Sequence, residues 1–419
     1  MKKILFTILI TGTITAQAQV KKVLFLGNSY TSVNSLPTLV KDIALSFGDT
    51  MLTDQNTPGG HQLVQHVVNT TTLSKISSQN WDNVVIQEQS QKPSFSPGQV
   101  ATDVYPYAEI LCDSIRSNYS CSEPIFYMTW GRKNTDAGPC ANGLTTSCTY
   151  EGMQQRLRES YMEMSLDNNA TTSPVGVAWK NVRDSFPTIE LYTGDESHPS
   201  IYGSYLAACV FYATLYQKSP IGSTYIPSSI SASDALNIQT TASYTVLDSM
   251  PLWRINANKP IADFNYTVNT SNGNVAFTNS STNDLTYEWT FGDGNTSILE
   301  SPNHTYSGGN NTYNVEFIVY SIDSCFSDTL TQIINISATG IKGFNNQNSL
   351  LLYPNPAKDF IVIETDLNYH SISIIDLTGK TVQLFNSLSK IDITSLSKGI
   401  YFIKLIGEEK TIVRKFIKE

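Results

Sequence analysis

The sequence predicts an α/β unit built on a parallel sheet, followed by two small all-β modules. Three observations predict it. From residue 20 to about 256, short apolar runs alternate with helix-length stretches. From 260 to 337, short alternating strands are separated by Asn/Ser/Gly turns. A Gly/Asn-rich linker at 338–348 then leads to further strands over 349–419. The chain has 419 residues and is 40% hydrophobic, enough for more than one core.

The N-terminus reads as a leader over 1–18. Lys2 and Lys3 precede an apolar core from Ile4 to Ile10, and Ala16-Gln17-Ala18 is a small-x-small cleavage site. The apolar core is too short to span a bilayer, and no later stretch is long enough, so the chain starting near Gln19 is expected to be exported with no membrane span. In the 19–256 unit the expected strands are Val23–Leu26, Asn83–Ile86, Ile125–Thr129 and Ile189–Tyr192. Most are continuous apolar runs, as strands covered on both faces require. Helices are expected over Ser35–Phe47, Val100–Ser117, Tyr150–Asn168, Ile201–Gln217 and Ser233–Leu247. Such a doubly wound sheet binds ligands beyond its strands' carboxyl ends, where Ser29, Gly60 and the 87–91 segment fall.

The net charge is −9. Residues 341–419 hold ten basic and eight acidic side chains, so the acidic excess lies wholly in the rest of the chain. Such a surface repels phosphate backbones and argues against a nucleic-acid partner. Six cysteines suit an oxidising compartment without forming a dense framework. Cys140 and Cys148 could close a Gly/Thr/Ser loop, Cys112 and Cys121 are a second possible pair, and Cys209 reads as a buried thiol. No Cys/His grouping has zinc-ligand spacing, and neither metal nor cofactor is expected.

Two strings carry the chemistry. Ser29 follows Gly27 and Asn28 at a strand end, a turn that exposes the hydroxyl and leaves the Ser29 N–H free. Alone, a helix-capping Ser is the better explanation. Asp195 stands three residues before His198, with Pro199 after it, so the Asp can orient an imidazole whose other nitrogen faces Ser29. Together these are the inventory of a serine hydrolase.

The motifs Gly27-Asn28-Ser29, Gly59-Gly60, Gln87-Glu88-Gln89-Ser90 and DESHPSIYGSYLAA (195–208) resemble those of the SGNH/GDSL hydrolase superfamily. The resemblance implies a flavodoxin-like three-layer α/β/α fold, with Ser29 as nucleophile, His198 as base and Asp195 as its orienting partner. It also implies an oxyanion hole of the Ser29 and Gly60 N–H groups. The superfamily's Asn donor after the third strand is replaced by glutamines; Gln89 is favoured as third donor, with Gln87 and Gln91 as rivals. Trp130 could stack on a sugar ring or be a plain core residue, and His61 could line the pocket or be a solvent-facing loop residue. Glu88 with Asp82 does not make a glycosidase pair, because the two should lie at opposite ends of a strand.

Residues 260–337 resemble a PKD-type immunoglobulin-like β-sandwich, through Tyr287–Gly294 (YEWTFGDG), His304-Thr305-Tyr306 and Tyr313-Asn314-Val315. Trp289 is then core, His304 structural, and Cys325 has no obvious mate within the module. Residues 349–419 resemble the sorting domain of type IX secretion cargo, through Leu352–Ala357 (LYPNPA), Asp376–Lys380 and Gly399-Ile400-Tyr401. That resemblance implies export through the periplasm of a Gram-negative bacterium, contact with outer-membrane secretion machinery, and a secreted or cell-surface protein. The expected function is hydrolysis of acyl esters, O-acetyl esters on carbohydrate in particular, with an acylated glycan or small ester as substrate. A broad lipase or arylesterase and a non-catalytic glycan-binding adhesin are the alternatives.

Overall fold

A computed structural model describes residues 18–269, 273–306, 311–322, 324–336, 350–365, 369–377, 379–385, 390–407 and 411–419. Residues 1–17 of the expected leader and the linker expected at 338–348 lie outside these residues.

The first unit is a three-layer α/β/α structure. Its sheet contains β1 (Val20–Leu26), β2 (Thr50–Asn56), β3 (Asn83–Ile86), β4 (Glu123–Tyr127) and β5 (Thr171–Ser173) in the order β2-β1-β3-β4-β5, and every pairing is parallel. This is the flavodoxin-like order, and its switch point lies between β1 and β3. The central strands are buried on both faces: Val23 to Leu26 and Val84 to Ile86 have no exposed surface.

Helices Leu36–Ser46, Val175–Ser185, Ile201–Tyr216 and Ala232–Leu247 pack on one another over one face of the sheet. Helices Thr70–Ser77, Tyr105–Asn118 and Tyr150–Asp167 cover the other. Helix Leu36–Ser46 buries Leu36, Leu39, Val40, Ile43 and Ala44, the spacing of one helical face. Helix Ile201–Tyr216 is buried on all sides from Gly203 to Tyr216, and therefore lacks a polar face.

The structure departs from expectation in four places. Ile189–Tyr192 is not a strand; Tyr192 makes a single antiparallel bridge to Pro199. The run is apolar because Ile189, Leu191 and Tyr192 pack into the core from a loop. β2 and β5 were not anticipated, because Thr50–Asn56 and Thr171–Ser173 are polar edge strands. The helix expected over 100–117 is two helices, Pro97–Asp103 and Tyr105–Asn118, broken at Val104. Cys112 and Cys121 do not pair: Cys121 is joined to Cys325, and Cys112 is a free buried thiol. Cys140 pairs with Cys148, and Cys209 is buried and free.

Beyond residue 260 two further cores form, each between antiparallel sheets. In the first, Trp289 stacks on Phe317 at 3.8 Å. His304 stacks on Phe291 and bonds Asp293 at 2.7 Å. The last core gathers Ile361, Ile372, Ile374, Ile403, Leu405 and Phe416.

Gly203 lies where helix Ile201–Tyr216 crosses Trp179; a Cβ there would fall 2.4 Å from both the Leu191 carbonyl oxygen and the Trp179 ring. Gly203→Ala should therefore destabilise by about 1–3 kcal/mol, the overpacking cost exceeding the gain in helix propensity. Gly98→Ala, with open space around its Cβ, should not. Denaturation midpoints of the two variants check this, and a rise for Gly203→Ala would refute the close contact.

Candidate active site

The carboxyl ends of β1 and β3 flank the switch point, and both contribute to one cluster. Gly27 leaves β1 where a Cβ would lie 2.6 Å from Gln87 Oε1 and 2.7 Å from Thr31 Oγ1, so glycine is required there. Asn28 caps the short helix Ser29–Ser32: its Oδ1 accepts from Tyr30 N at 3.1 Å. Its Nδ2 donates to the His61 carbonyl at 2.9 Å, tying the turn after β2 to the turn after β1.

Ser29 Oγ lies 2.8 Å from His198 Nε2. His198 Nδ1 in turn bonds Asp195 Oδ2. The other carboxylate oxygen of Asp195 accepts from the backbone N–H groups of Ser197 (3.0 Å) and His198 (2.9 Å) and from Thr193 Oγ1 (2.8 Å). Burial pushes the Asp195 carboxyl up, but these bonds, led by the His198 ring, outweigh it and hold it well below the usual carboxylate range. The loop is closed by Thr193 N donating to the His198 carbonyl at 2.9 Å. Ser200 follows, capping helix Ile201–Tyr216 through bonds from Tyr202 N and Gly203 N.

Gly60 sits in a turn closed by His61 N donating to the Pro58 carbonyl, with φ +70°, a left-handed conformation that favours glycine. Among the described residues neither the Ser29 N–H nor the Gly60 N–H has an acceptor. His61 is half-buried, with its ring 5.1 Å from that of His66.

The three glutamines have different places. Gln87 is fully buried, and its Nε2 donates to Asn28 Oδ1 (2.9 Å) and the Glu88 carbonyl. Gln91 Nε2 donates to both Asp136 oxygens, at 2.9 and 2.7 Å. Gln89 Nε2 makes only long bonds, 3.2 Å to Gln91 Oε1 and 3.5 Å to Ser90 Oγ. Of the three, Gln89 is the one whose donor is most easily redirected.

Trp130 is corrected. It has no exposed surface and cannot stack on a sugar. It lies between Tyr30 (4.7 Å, interplanar 4°) and Trp179 (3.8 Å, 6°), and its Nε1 donates to the Ser197 carbonyl at 3.0 Å. The apolar run ending in Trp130 is compatible with either a ligand edge or a core, and burial decides for the core.

Sequence reasoning missed four contributors. Tyr30 is buried beside Ser29; its hydroxyl bonds Ser197 Oγ at 2.6 Å and its ring edge faces His198 at 5.4 Å. His66 Nε2 donates to the Gly27 carbonyl at 2.9 Å while Nδ1 accepts from Thr72. Burial pushes its imidazole down to about 4, so it stays neutral above that pH. Glu88 is buried, accepts from Leu63 N and Gln89 N, and is pushed up to about 7 by burial. Arg132 follows β4, and its neighbours Lys133 and Asn134 bond Glu196. Only Glu88 lies within a string already singled out; burial gives it its role, and a single sequence does not show it.

Two parts of the chain match family models: residues 257–336 the PKD domain, and residues 351–419 the secretion system C-terminal sorting domain. No curated protein matches the chain. Among solved structures, a DUF4886 family protein from Bacteroides uniformis is 19% identical over 54% of this chain and 95% of its own, with TM-score 0.48. A candidate SGNH hydrolase from Slackia heliotrinireducens is 26% identical over 47% and 99%, with TM-score 0.39. The PKD1 domain of the Vibrio cholerae metalloprotease PrtV is 30% identical over 19% and 98%, with TM-score 0.17.

Glu88 carries a pH prediction. Its folded pKa is raised from 4.5 to about 7, so its contribution to stability is full below 4.5 and is lost as pH rises through 7, by about 3 kcal/mol. Glu88→Gln removes the titration, so the variant should gain about that much relative to wild type between pH 4 and pH 8. Denaturant unfolding followed by tryptophan fluorescence measures it, four of the five tryptophans being in the first core. Parallel pH profiles would reject it.

The chain therefore carries an α/β unit with the flavodoxin-like strand order, a PKD-matching segment, and a sorting segment that points to type IX secretion and a secreted or cell-surface protein.

Proposed function

We propose that the chain is a secreted serine esterase hydrolysing acyl esters, O-acetyl esters on carbohydrate in particular. One observation carries this reading: the continuous bonding from Ser29 Oγ to His198 Nε2, and from His198 Nδ1 to Asp195. In this reading Ser29 Oγ attacks the ester carbonyl carbon as His198 Nε2 accepts its proton. The ionised Asp195 stabilises the imidazolium and fixes its tautomer. The carbonyl oxygen, now an oxyanion, accepts from the N–H groups of Ser29 and Gly60, which have no other acceptor among the described residues. His198 then protonates the leaving alkoxide, and water, deprotonated by the same ring, releases the acid from the acyl-enzyme. Gln89 adds a third donor once its long bonds within its own loop are exchanged. His61, beside Gly60, lines the acyl side.

The carbohydrate part rests on the motif resemblance and on the PKD-type module, and is tested separately. Acetate release from acetylated xylan or pectin should exceed release of longer acyl groups from matched esters. For the catalytic part, hydrolysis of 4-nitrophenyl acetate should fall at least about 10³-fold in Ser29→Ala and in His198→Ala. Asp195→Asn should lose about 10²–10⁴-fold. Equal rates in wild type and Ser29→Ala would end the esterase reading.

A further inference from the structure

Arg132 lies beside the proposed site with hydrogen-bonding capacity unused among the described residues. Arg132 stands five residues past the end of β4, and its flanks are bonded to the His198 loop. Trp130 Nε1 donates to the Ser197 carbonyl, Lys133 N to the Glu196 carbonyl at 2.9 Å, and Asn134 Nδ2 to Glu196 Oε1 at 2.9 Å. Its charge is felt at the Tyr30 phenol, one residue from Ser29.

Arg132 is also a basic group of this edge with donors to offer. Lys133 is paired with Glu190 at 2.5 Å. Arg183 lies over the Tyr150 ring at 3.9 Å and donates to the Lys133 carbonyl. Among the described residues the Arg132 guanidinium makes no hydrogen bond, and its Nε is wholly buried without an acceptor. Its one charged neighbour, Asp136, stands 3.7 Å from Nε, beyond hydrogen-bond range, and gives both carboxylate oxygens to Gln91. An Arg held at the mouth of a site with its planar fork unused is matched to a carboxylate, which it binds through two parallel N–H bonds.

Sheet order says which half of the ester would carry that carboxylate. The strands run β2-β1-β3-β4. Gly60, after β2, lies on one side of Ser29, and Arg132, after β4, lies on the other with the His198 loop. In the reaction proposed above His198 protonates the leaving oxygen, so the alcohol half departs on the Arg132 side.

We propose that Arg132 is an anion-binding, specificity-determining residue that selects esters whose alcohol half carries a carboxylate. An O-acetylated acidic sugar is the glycan form of such a substrate. The choice of half rests on the esterase reading; the binding itself does not.

The test uses 3-acetoxybenzoate and phenyl acetate, which differ in the carboxylate. The ratio of their kcat/KM values, each divided by the rate in hydroxide, should favour 3-acetoxybenzoate in wild type and fall at least about tenfold in Arg132→Gln. Arg132→Lys should fall between, since it keeps the charge and loses the fork. Calorimetric binding of 3-acetoxybenzoate to the Ser29→Ala protein supplies a readout without turnover. It should be weakened at least about tenfold by adding Arg132→Gln, and weakened by salt. Hydrolysis of both esters at an unchanged ratio overturns the Arg132 proposal and leaves the esterase standing. Arg132-dependent binding without hydrolysis by wild type supports the anion site and ends the esterase reading. Binding equal in the presence and absence of Arg132 overturns the proposal whatever the activity.

Discussion

The Gln87 carboxamide is the joint on which the site is built. Its oxygen accepts from Asn28 N at 3.0 Å and Thr31 Oγ1 at 2.9 Å, and its nitrogen donates to Asn28 Oδ1 at 2.9 Å. Buried polar groups of this kind cost several kcal/mol if left unpaired, so the turn around Ser29 is held wherever Gln87 is held. Gln87 itself is held by β3, with its N–H on the Leu26 carbonyl. The turn thus takes its shape from the pairing of β1 with β3. That is why Gly27 must be glycine: the oxygen of Gln87 occupies the space a Cβ would need.

A second brace sets the distance between Ser29 and His198. Tyr30, Trp130 and Trp179 form a continuous stack, closed at the far end by the edge of Tyr192. Tyr30 and Trp130 each bond Ser197, one through its hydroxyl and one through its carbonyl. The residue before His198 is therefore clamped to the residue after Ser29. Buried aromatic contacts of this sort contribute about 0.5–1.5 kcal/mol each beyond their area, and they are rigid. The 2.8 Å approach of Ser29 to His198 is a property of packing as much as of the two side chains.

Much of this was legible in the sequence, and the failures have physical causes. The buried strands β1 and β3 announce themselves because both faces are covered. β2 and β5 escape because edge strands carry polar residues such as those of Thr50–Asn56. Ser29, Asp195 and His198 stand out because their spacing and flanking Gly, Asn and Pro have few structural uses. Trp130 was misjudged, and Gln87 could not be told from its rivals, for one reason: both lie at the ligand edge of the sheet, and position along a strand does not say which side chains turn inward. Arg132 was invisible, since an isolated Arg after a strand has no pattern. Cys325 could not be paired from sequence because its partner lies in another unit.

That disulfide has a direction as well as a partner. Cys121 precedes β4, so it lies at the amino end of the sheet, opposite the crevice. The chain leaves the α/β unit at the same end: Arg254 donates to the Ala170 carbonyl and Asn258 Nδ2 to the Asn169 carbonyl, just before β5 begins. Both covalent connections to the PKD-matching segment therefore sit at the foot of a sheet whose strands all point the other way. In a parallel sheet every carboxyl end faces one crevice, and these connections lie at the opposite end. The proposed chemistry and the sorting segment's side of the chain are then separated by the length of the strands themselves, and changes in one need not disturb the other.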